Sequence, residues 1–197
     1  MKKIIIMALA AFLSLGASAQ LISSSTVTYK KSEKKGYDRL GVSYSSIKFG
    51  DGDSNNAYSF DWTKGIPVSS SMPLYIETGL GGTYLSGDYG TKFIFASIPV
   101  NVTYKLEVAK GIKIAPFAGI TLQGNIVGED DESDWFDDYD AKRFTAGFQL
   151  GSNFEFGKFY VGVSYGTAFS DLLDMSDYDY DIDSKQKGVK ASIGIVF

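Results

Sequence analysis

The segment "FTAGFQLGSNFEF", residues 144–156, alternates between two unlike sets of side chains almost without a break. Phe144, Ala146, Phe148, Leu150, Phe154 and Phe156 fall on one side; Thr145, Gly147, Gln149, Gly151, Asn153 and Glu155 fall on the other. A period of two belongs to a β-strand, whose successive side chains point to opposite faces. A face this rich in phenylalanine must be kept from water. What covers it, the inside of the molecule or the acyl chains of a bilayer, decides what the chain can be.

The pattern recurs in seven more segments: "RLGVSYSSIKF" (39–49), "AYSFDWT" (57–63), "LYIETGLGGTYL" (74–85), "SIPVNVTYKL" (97–106), "IAPFAGITLQG" (114–124), "FYVGVSYGTAF" (159–169) and "GVKASIGIVF" (188–197). No helical period competes with them in the mature chain. Eight strands with hairpin-length connections predict one antiparallel up-and-down sheet. Closing an even number on itself removes the two exposed edges. The second, fourth and sixth connections are "KGIPVSSSMP", "EVAKG" and Gly157-Lys158, while the others include "GDGDSNNA", "SGDYG" and two long acidic stretches. Short turns at one end and longer loops at the other are the asymmetry of outer-membrane barrels.

A soluble lipocalin-like barrel, binding an apolar ligand, would also alternate, with its apolar residues inside. Three features favour the inverted arrangement. The polar face carries Gly41, Gly79, Gly81, Gly119, Gly147 and Gly194 among others, which weakens a water-exposed strand but suits a cramped barrel interior. The apolar face has charges only at strand ends, Lys48 and Lys64; at a bilayer midplane Arg or Lys costs about 2–4 kcal/mol. Aromatic residues gather at the segment ends, Trp62, Tyr104, Phe154, Phe156, Phe159 and Phe197 at the short-turn end and Tyr58, Tyr84, Phe144 and Phe169 at the other, as in two interfacial girdles. A strand of 13 residues at ~3.4 Å each, tilted ~40°, rises roughly 33 Å, enough to cross an apolar band ~25 Å tall.

The N-terminus reads "MKKIIIMALAAFLSLGASAQ", two lysines, an apolar run too short for a comfortable span, and Ala17-Ser18-Ala19, which predicts a signal peptide over 1–19 cleaved after Ala19. Losing Lys2 and Lys3 takes the formal charge from −4 to −6, an acidic balance that argues against nucleic acid as a partner. The chain has no Cys and no His, so it lacks disulfides, an acylated N-terminal cysteine, and the commonest general base and transition-metal ligand.

With its signal peptide, eight amphipathic strands and terminal "ASIGIVF", the chain resembles the small outer-membrane β-barrel proteins of Gram-negative bacteria, of the OmpA-transmembrane-domain or OmpX type, over residues 37–197. The resemblance implies an all-β, eight-stranded antiparallel transmembrane β-barrel, preceded by a flexible periplasmic segment over 20–36. It also implies a monomer in contact with outer-membrane lipid and lipopolysaccharide, and Phe197 as a tag read by the barrel-assembly machinery. Small barrels of this kind that are enzymes resemble one another in using His; its absence leads us to expect no enzyme.

Inward positions include Arg39, Asp61, Glu77, Lys105, Arg143, Glu155 and Lys190. Both signs are present, predicting ion pairs that plug the lumen, since an unpaired buried charge is costly; a narrow ion channel is the alternative. The stretches 128–143 and 170–185 hold 14 of the 23 acids. They read as solvated extracellular loops, with Ca²⁺ or Mg²⁺ bridging to lipopolysaccharide as the sharper hypothesis. "DYDYDID" imitates the start of an EF-hand through Asp177, Asp179, Asp181 and Asp183, but Ile182 stands where Gly is needed and Gly188 where the bidentate Glu is needed. Trp135, Phe136, Tyr139, Tyr178 and Tyr180 offer contact surface for an extracellular partner. Pro99 and Pro116 fall inside strands and predict bulges, because proline cannot donate to the ladder. Phe93 and Phe95 would sit on the polar side of the fourth segment, which predicts a register break or rim position near Ala96.

Overall fold

A computed structural model describes residues 35–50, 52–68, 72–87, 91–129, 142–172 and 185–197. The expected signal peptide, nearly all of the segment 20–36, and the acidic stretches 130–141 and 173–184 lie outside the described residues.

Alternation becomes strand wherever it was read. The strands are β1 (Tyr37–Phe49), β2 (Ser54–Pro67), β3 (Leu74–Ser86), β4 (Lys92–Tyr104), β5 (Leu106–Ala109), β6 (Ile112–Glu129), β7 (Phe144–Phe156), β8 (Phe159–Asp171) and β9 (Lys185–Val196). Each pairs antiparallel with its neighbours, β4 pairs with β6, and β9 returns to β1. β4 and β5 lie end to end along β6 in one register, Thr103↔Phe117 followed by Leu106↔Ile114. They make one stave, so the barrel has eight staves and is closed. Closure hands every stave two partners and leaves no edge. The turns at Gly111 and Gly157 place both glycines at positive φ, +78° and +61°, which a Cβ would resist.

The apolar face points out. Val42, Phe60, Leu80, Ile98, Ile120, Phe148, Val163 and Ile193, one from each stave, are all exposed. The register makes them near neighbours, with Val42 between Phe60 and Ile193 and Ile120 opposite Phe148. An apolar belt around a whole barrel far exceeds the patches that soluble proteins leave in water. The soluble lipocalin-like arrangement, which needs these residues inside, is therefore excluded. Exposed aromatics flank the belt, Trp62, Phe156, Phe159 and Phe197 at the short-turn end and Tyr58, Tyr84, Phe144 and Phe169 at the other.

Neither proline makes a bulge. At Pro99 the ladder with β6 runs unbroken, Ile98↔Leu122, Pro99↔Thr121, Val100↔Ile120. The missing N–H is felt on the other side, where the β3–β4 pairs stop at Thr78↔Val100 and resume in the same register at Gly81↔Ser97. Pro116 likewise continues its ladder with β7, opposite Ser152, and interrupts the pairing with the fourth stave, which divides there into β4 and β5 around Lys105. A proline in a closed barrel can thus forfeit ladder pairs on one side and keep its register. The shift that does occur lies between Ile94 and Phe95, where β6 carries Ile126 as an extra residue. It leaves the alternation of β4 intact, so Phe93 and Phe95 both face inward and are buried.

Candidate functional site

The lumen is the space that the closed barrel surrounds, and three layers fill it. At the short-turn end, alternation turns Tyr37 and Arg39 of β1, Tyr75 and Glu77 of β3, Lys105, Glu155 of β7 and Tyr160 of β8 inward, and all of them are buried. Arg39 grips Glu77 with both arms of its guanidinium, Nη1 to Oε1 at 3.0 Å and Nη2 to Oε2 at 2.9 Å. Tyr37 donates its hydroxyl to the same carboxylate. Lys105 Nζ lies 2.6 Å from Glu155 Oε1; the contact is an ion pair, without aligned hydrogen-bond geometry at that oxygen. The ammonium also sits 3.1 Å from the centre of the Tyr37 ring, and Arg39 Cζ lies 5.1 Å from that of Tyr160. Two cations, two carboxylates and three phenol rings therefore close this end. Each charge has an opposite charge in contact, the condition under which burial is tolerable.

Glycine makes the closure possible. A Cβ on Gly41 would collide with the Tyr160 hydroxyl, and one on Gly194 would meet the Leu40 carbonyl oxygen and Gly41 Cα before Tyr160 Cε1 at 2.7 Å. Those two glycines face each other across the seam between β1 and β9.

In the middle layer Lys190 Nζ meets Asp61 Oδ2 at 2.7 Å, and Ser43 donates to the same oxygen at 3.2 Å. Amides and hydroxyls continue the network: Gln149 to Asn101 at 2.8 Å, Gln123 to Gln186 at 3.1 Å, and Ser59 with Thr83 at 2.9 Å. A cavity of ≈ 210 Å³ remains among Arg39, Asp61, Asn101, Gln149 and Lys190. Thr63 Oγ1 and Asn153 Nδ2 belong to residues lining it and hydrogen-bond to no described residue.

The long-loop end is capped by grease. Ile47, Ala57, Leu85, Phe93, Phe95 and Leu172 are buried together, with Phe49 packed against them. The rings of Phe93 and Phe95 stack at 5.6 Å and Phe49 meets Phe93 at 5.7 Å. Sequence reasoning missed this cap. The signal was there: the β4 alternation runs through Phe93 and Phe95 if it is not stopped at Ser97.

Of the seven residues expected in the lumen, Arg39, Asp61, Glu77, Lys105, Glu155 and Lys190 are inside. Arg143 is not. It is exposed at the long-loop end just before β7, where its carbonyl accepts from the Asn125 N–H at 2.8 Å. That bond keeps the register of Gly124↔Phe144 for one more step, up to the rim. Asp177, Asp179, Asp181 and Asp183, and the aromatics Trp135, Phe136, Tyr139, Tyr178 and Tyr180, lie outside the described residues. Among the described residues no three acidic groups converge as a metal site. Phe197 is exposed at the short-turn end, and its backbone exchanges two hydrogen bonds with Asp38, at 2.8 and 2.9 Å.

Among solved structures the chain is similar to the outer membrane enzyme PagL, with a TM-score of 0.56 and 15% identity over 80% of this chain and 98% of PagL. It is similar to the same degree, TM-score 0.56, to Neisserial surface protein A (NspA), at 12% identity over 82% of this chain and 97% of NspA. No protein-family model matches the sequence, and no curated protein does. At such identities the likeness establishes a fold. That fold is the small outer-membrane eight-stranded β-barrel, as the strand pattern and the resemblance implied.

Proposed function

We propose that the chain is an integral protein of the bacterial outer membrane, held there by a sealed barrel and acting through its long-loop end. The observation that carries this reading is the inversion of the fold: charged pairs inside and an unbroken apolar belt outside. In water the belt would drive aggregation, whereas in a bilayer it is solvated and the closed ladder satisfies the backbone. Heat-modifiable gel migration after refolding into detergent, with protease cleavage confined to the long loops on whole cells, tests it. A processed chain that refolds and stays monodisperse without detergent would refute it.

The role is structural or one of surface contact, not enzymatic. A chain without histidine lacks the usual general base, and the buried carboxylates Glu77 and Glu155 are each held by a cation. The partners follow from the same reading: outer-membrane lipid and lipopolysaccharide around the belt, the barrel-assembly machinery at Phe197, and an extracellular partner or Ca²⁺ or Mg²⁺ at the acidic loops. The barrel works as a monomer. Calorimetry with Ca²⁺ at millimolar concentration tests the metal, and no heat of binding removes it. The charge layer at one end and the aromatic cap at the other support a lumen that does not conduct. Stable single-channel currents in planar bilayers would overturn that.

A further inference from the structure

We infer that the luminal cavity opens sideways, through the wall between β7 and β8 at the level of the upper aromatic girdle, and that water and small hydrophilic solutes reach it by this route. The inference rests on the membrane reading above and leaves both plugged ends in place. Among the described residues both ends are blocked. The ceiling of the cavity is Ile47 and Phe95 of the apolar cap, and its floor is Arg39 and Tyr160 of the charge layer, all four of them buried.

The side wall is another matter. The β7–β8 pairs climb from Phe156↔Phe159 and stop at Gly147↔Ala168, although β7 begins at Phe144 and β8 runs on to Asp171. On its other flank β8 leaves β9 after Thr167↔Lys187 and rejoins it at Asp171↔Lys185, so that Ala168, Phe169 and Ser170 stand against Gln186 alone. Phe169 and Ser170 are therefore in neither ladder. Above them the wall closes again, where the Lys142 N–H donates to the Leu172 carbonyl at 2.7 Å. The window so framed is about three residues tall, roughly 10 Å along the strand. It differs from the gap beside Pro99, where a missing donor interrupts the pairs and the register is kept. Here the register itself changes, and residues 168–171, "AFSD", include no proline.

The cavity extends to this window. Around the rest of the wall it is bordered by inward residues such as Ser59, Ser97 and Thr121. At β7 and β8 it is also bordered by Ala146, Phe148 and Thr167, which alternate outward. Energy points the same way. Peptide groups outside a ladder are costly in hydrocarbon and are tolerated at membrane depth where they line water. Phe144 and Phe169, both exposed, flank the window and set it where the bilayer meets water. A bulge at a barrel rim is a known means of ending strand pairing. Behind it, ≈ 210 Å³ lined by hydroxyls and amides has room for water and for solutes of a few heavy atoms. With floor and ceiling shut, the lumen is a dead end that exchanges without conducting.

The chain has no cysteine, so one introduced thiol reports alone. Ser97→Cys places it in the cavity on β4, away from the window. The full processed chain carrying it is set in phosphatidylcholine nanodiscs, which leave both ends of the barrel in solution. It is then treated with 2-aminoethyl methanethiosulfonate, a small cationic thiol reagent, and modification is followed by mass. The thiol should be modified. Deleting Phe169 and Ser170 restores an even register, Thr167↔Lys187, Ala168↔Gln186 and Asp171↔Lys185, and keeps every side chain on its face. That deletion should slow modification about ten-fold or more, because access then waits on local opening of a paired wall. Ala168→Trp, which fills the window's lower edge and leaves the chain length alone, should slow it likewise and serves if the deletion does not fold. Leu80→Trp, outward on β3, should leave the rate unchanged. Equal rates in the parent and the Ala168→Trp variant overturn the window, as does equal slowing by Leu80→Trp. A heat-modifiable parent whose thiol stays unmodified overturns the window alone; a parent that is never heat-modifiable overturns the membrane reading and the window with it.

Discussion

Glu77 offers the sharpest test of how the lumen is held together. Its carboxylate is fully buried, takes both guanidinium arms of Arg39 and accepts from Tyr37. Replacing it with leucine keeps the volume but strands a guanidinium that is 7% exposed. Removing one partner of a buried pair costs about 3–5 kcal/mol, whereas removing both is often neutral or stabilising. Glu77→Leu should therefore lose about 3–5 kcal/mol of folding free energy. Arg39→Met/Glu77→Leu should recover most of it, less a residual of ~1 kcal/mol for the orphaned Tyr37 hydroxyl. The assay is urea-dependent folding into phosphatidylcholine vesicles, read as the fraction of heat-modifiable protein at equilibrium. If Glu77→Leu costs under about 1 kcal/mol, the pair is solvated and the plug described here is wrong. A double variant worse than either single change would show that the charges stabilise in their own right, and would sink the burial argument.

Leu80→Arg, on the outward face of β3, should lose about 2–4 kcal/mol in the same assay if Leu80 lies near the midplane, while inward Thr83→Ala should change little. A smaller penalty for the arginine would put lipid elsewhere. Gly41→Ala should destabilise through collision with Tyr160, and Gly41→Ala/Tyr160→Leu should cost less than the sum of the single changes; strict additivity would refute the contact. Phe93→Ala should cost about 3–5 kcal/mol by opening a cavity in the apolar cap, and an effect below ~1 kcal/mol would mean that the cap is loosely packed or wet.

The fold was legible because lipid and lumen impose opposite demands on alternate residues, and each of the eight segments obeyed both. Facing was legible in part: Val42, Leu80 and Ile193 against Ser43, Gly81 and Gly194 favoured apolar residues outward over the lipocalin-like alternative, and the structure exposes them. What the sequence left undecided lay where the demands relax. At the long-loop end the interior is apolar, so Phe93 and Phe95 broke the rule that inward means polar, and β4 was read five residues short. The prolines misled for a different reason. Pro99 and Pro116 each have two neighbouring strands, but a residue's single N–H serves only one of them, so the ladder on the other side kept its pairing in each case. Arg143 carries the same parity as its buried cross-strand neighbour Asn125, but it stands at the rim, where water reaches it.

The join between Asp38 and Phe197 ties together the two staves that lie farthest apart along the chain. Until the ribosome has delivered the second of them, the first has no mate on that flank, and every shorter product presents two raw borders to its surroundings. Such a chain has no serviceable half-built form. The sheet can be finished only when its last stave meets its first.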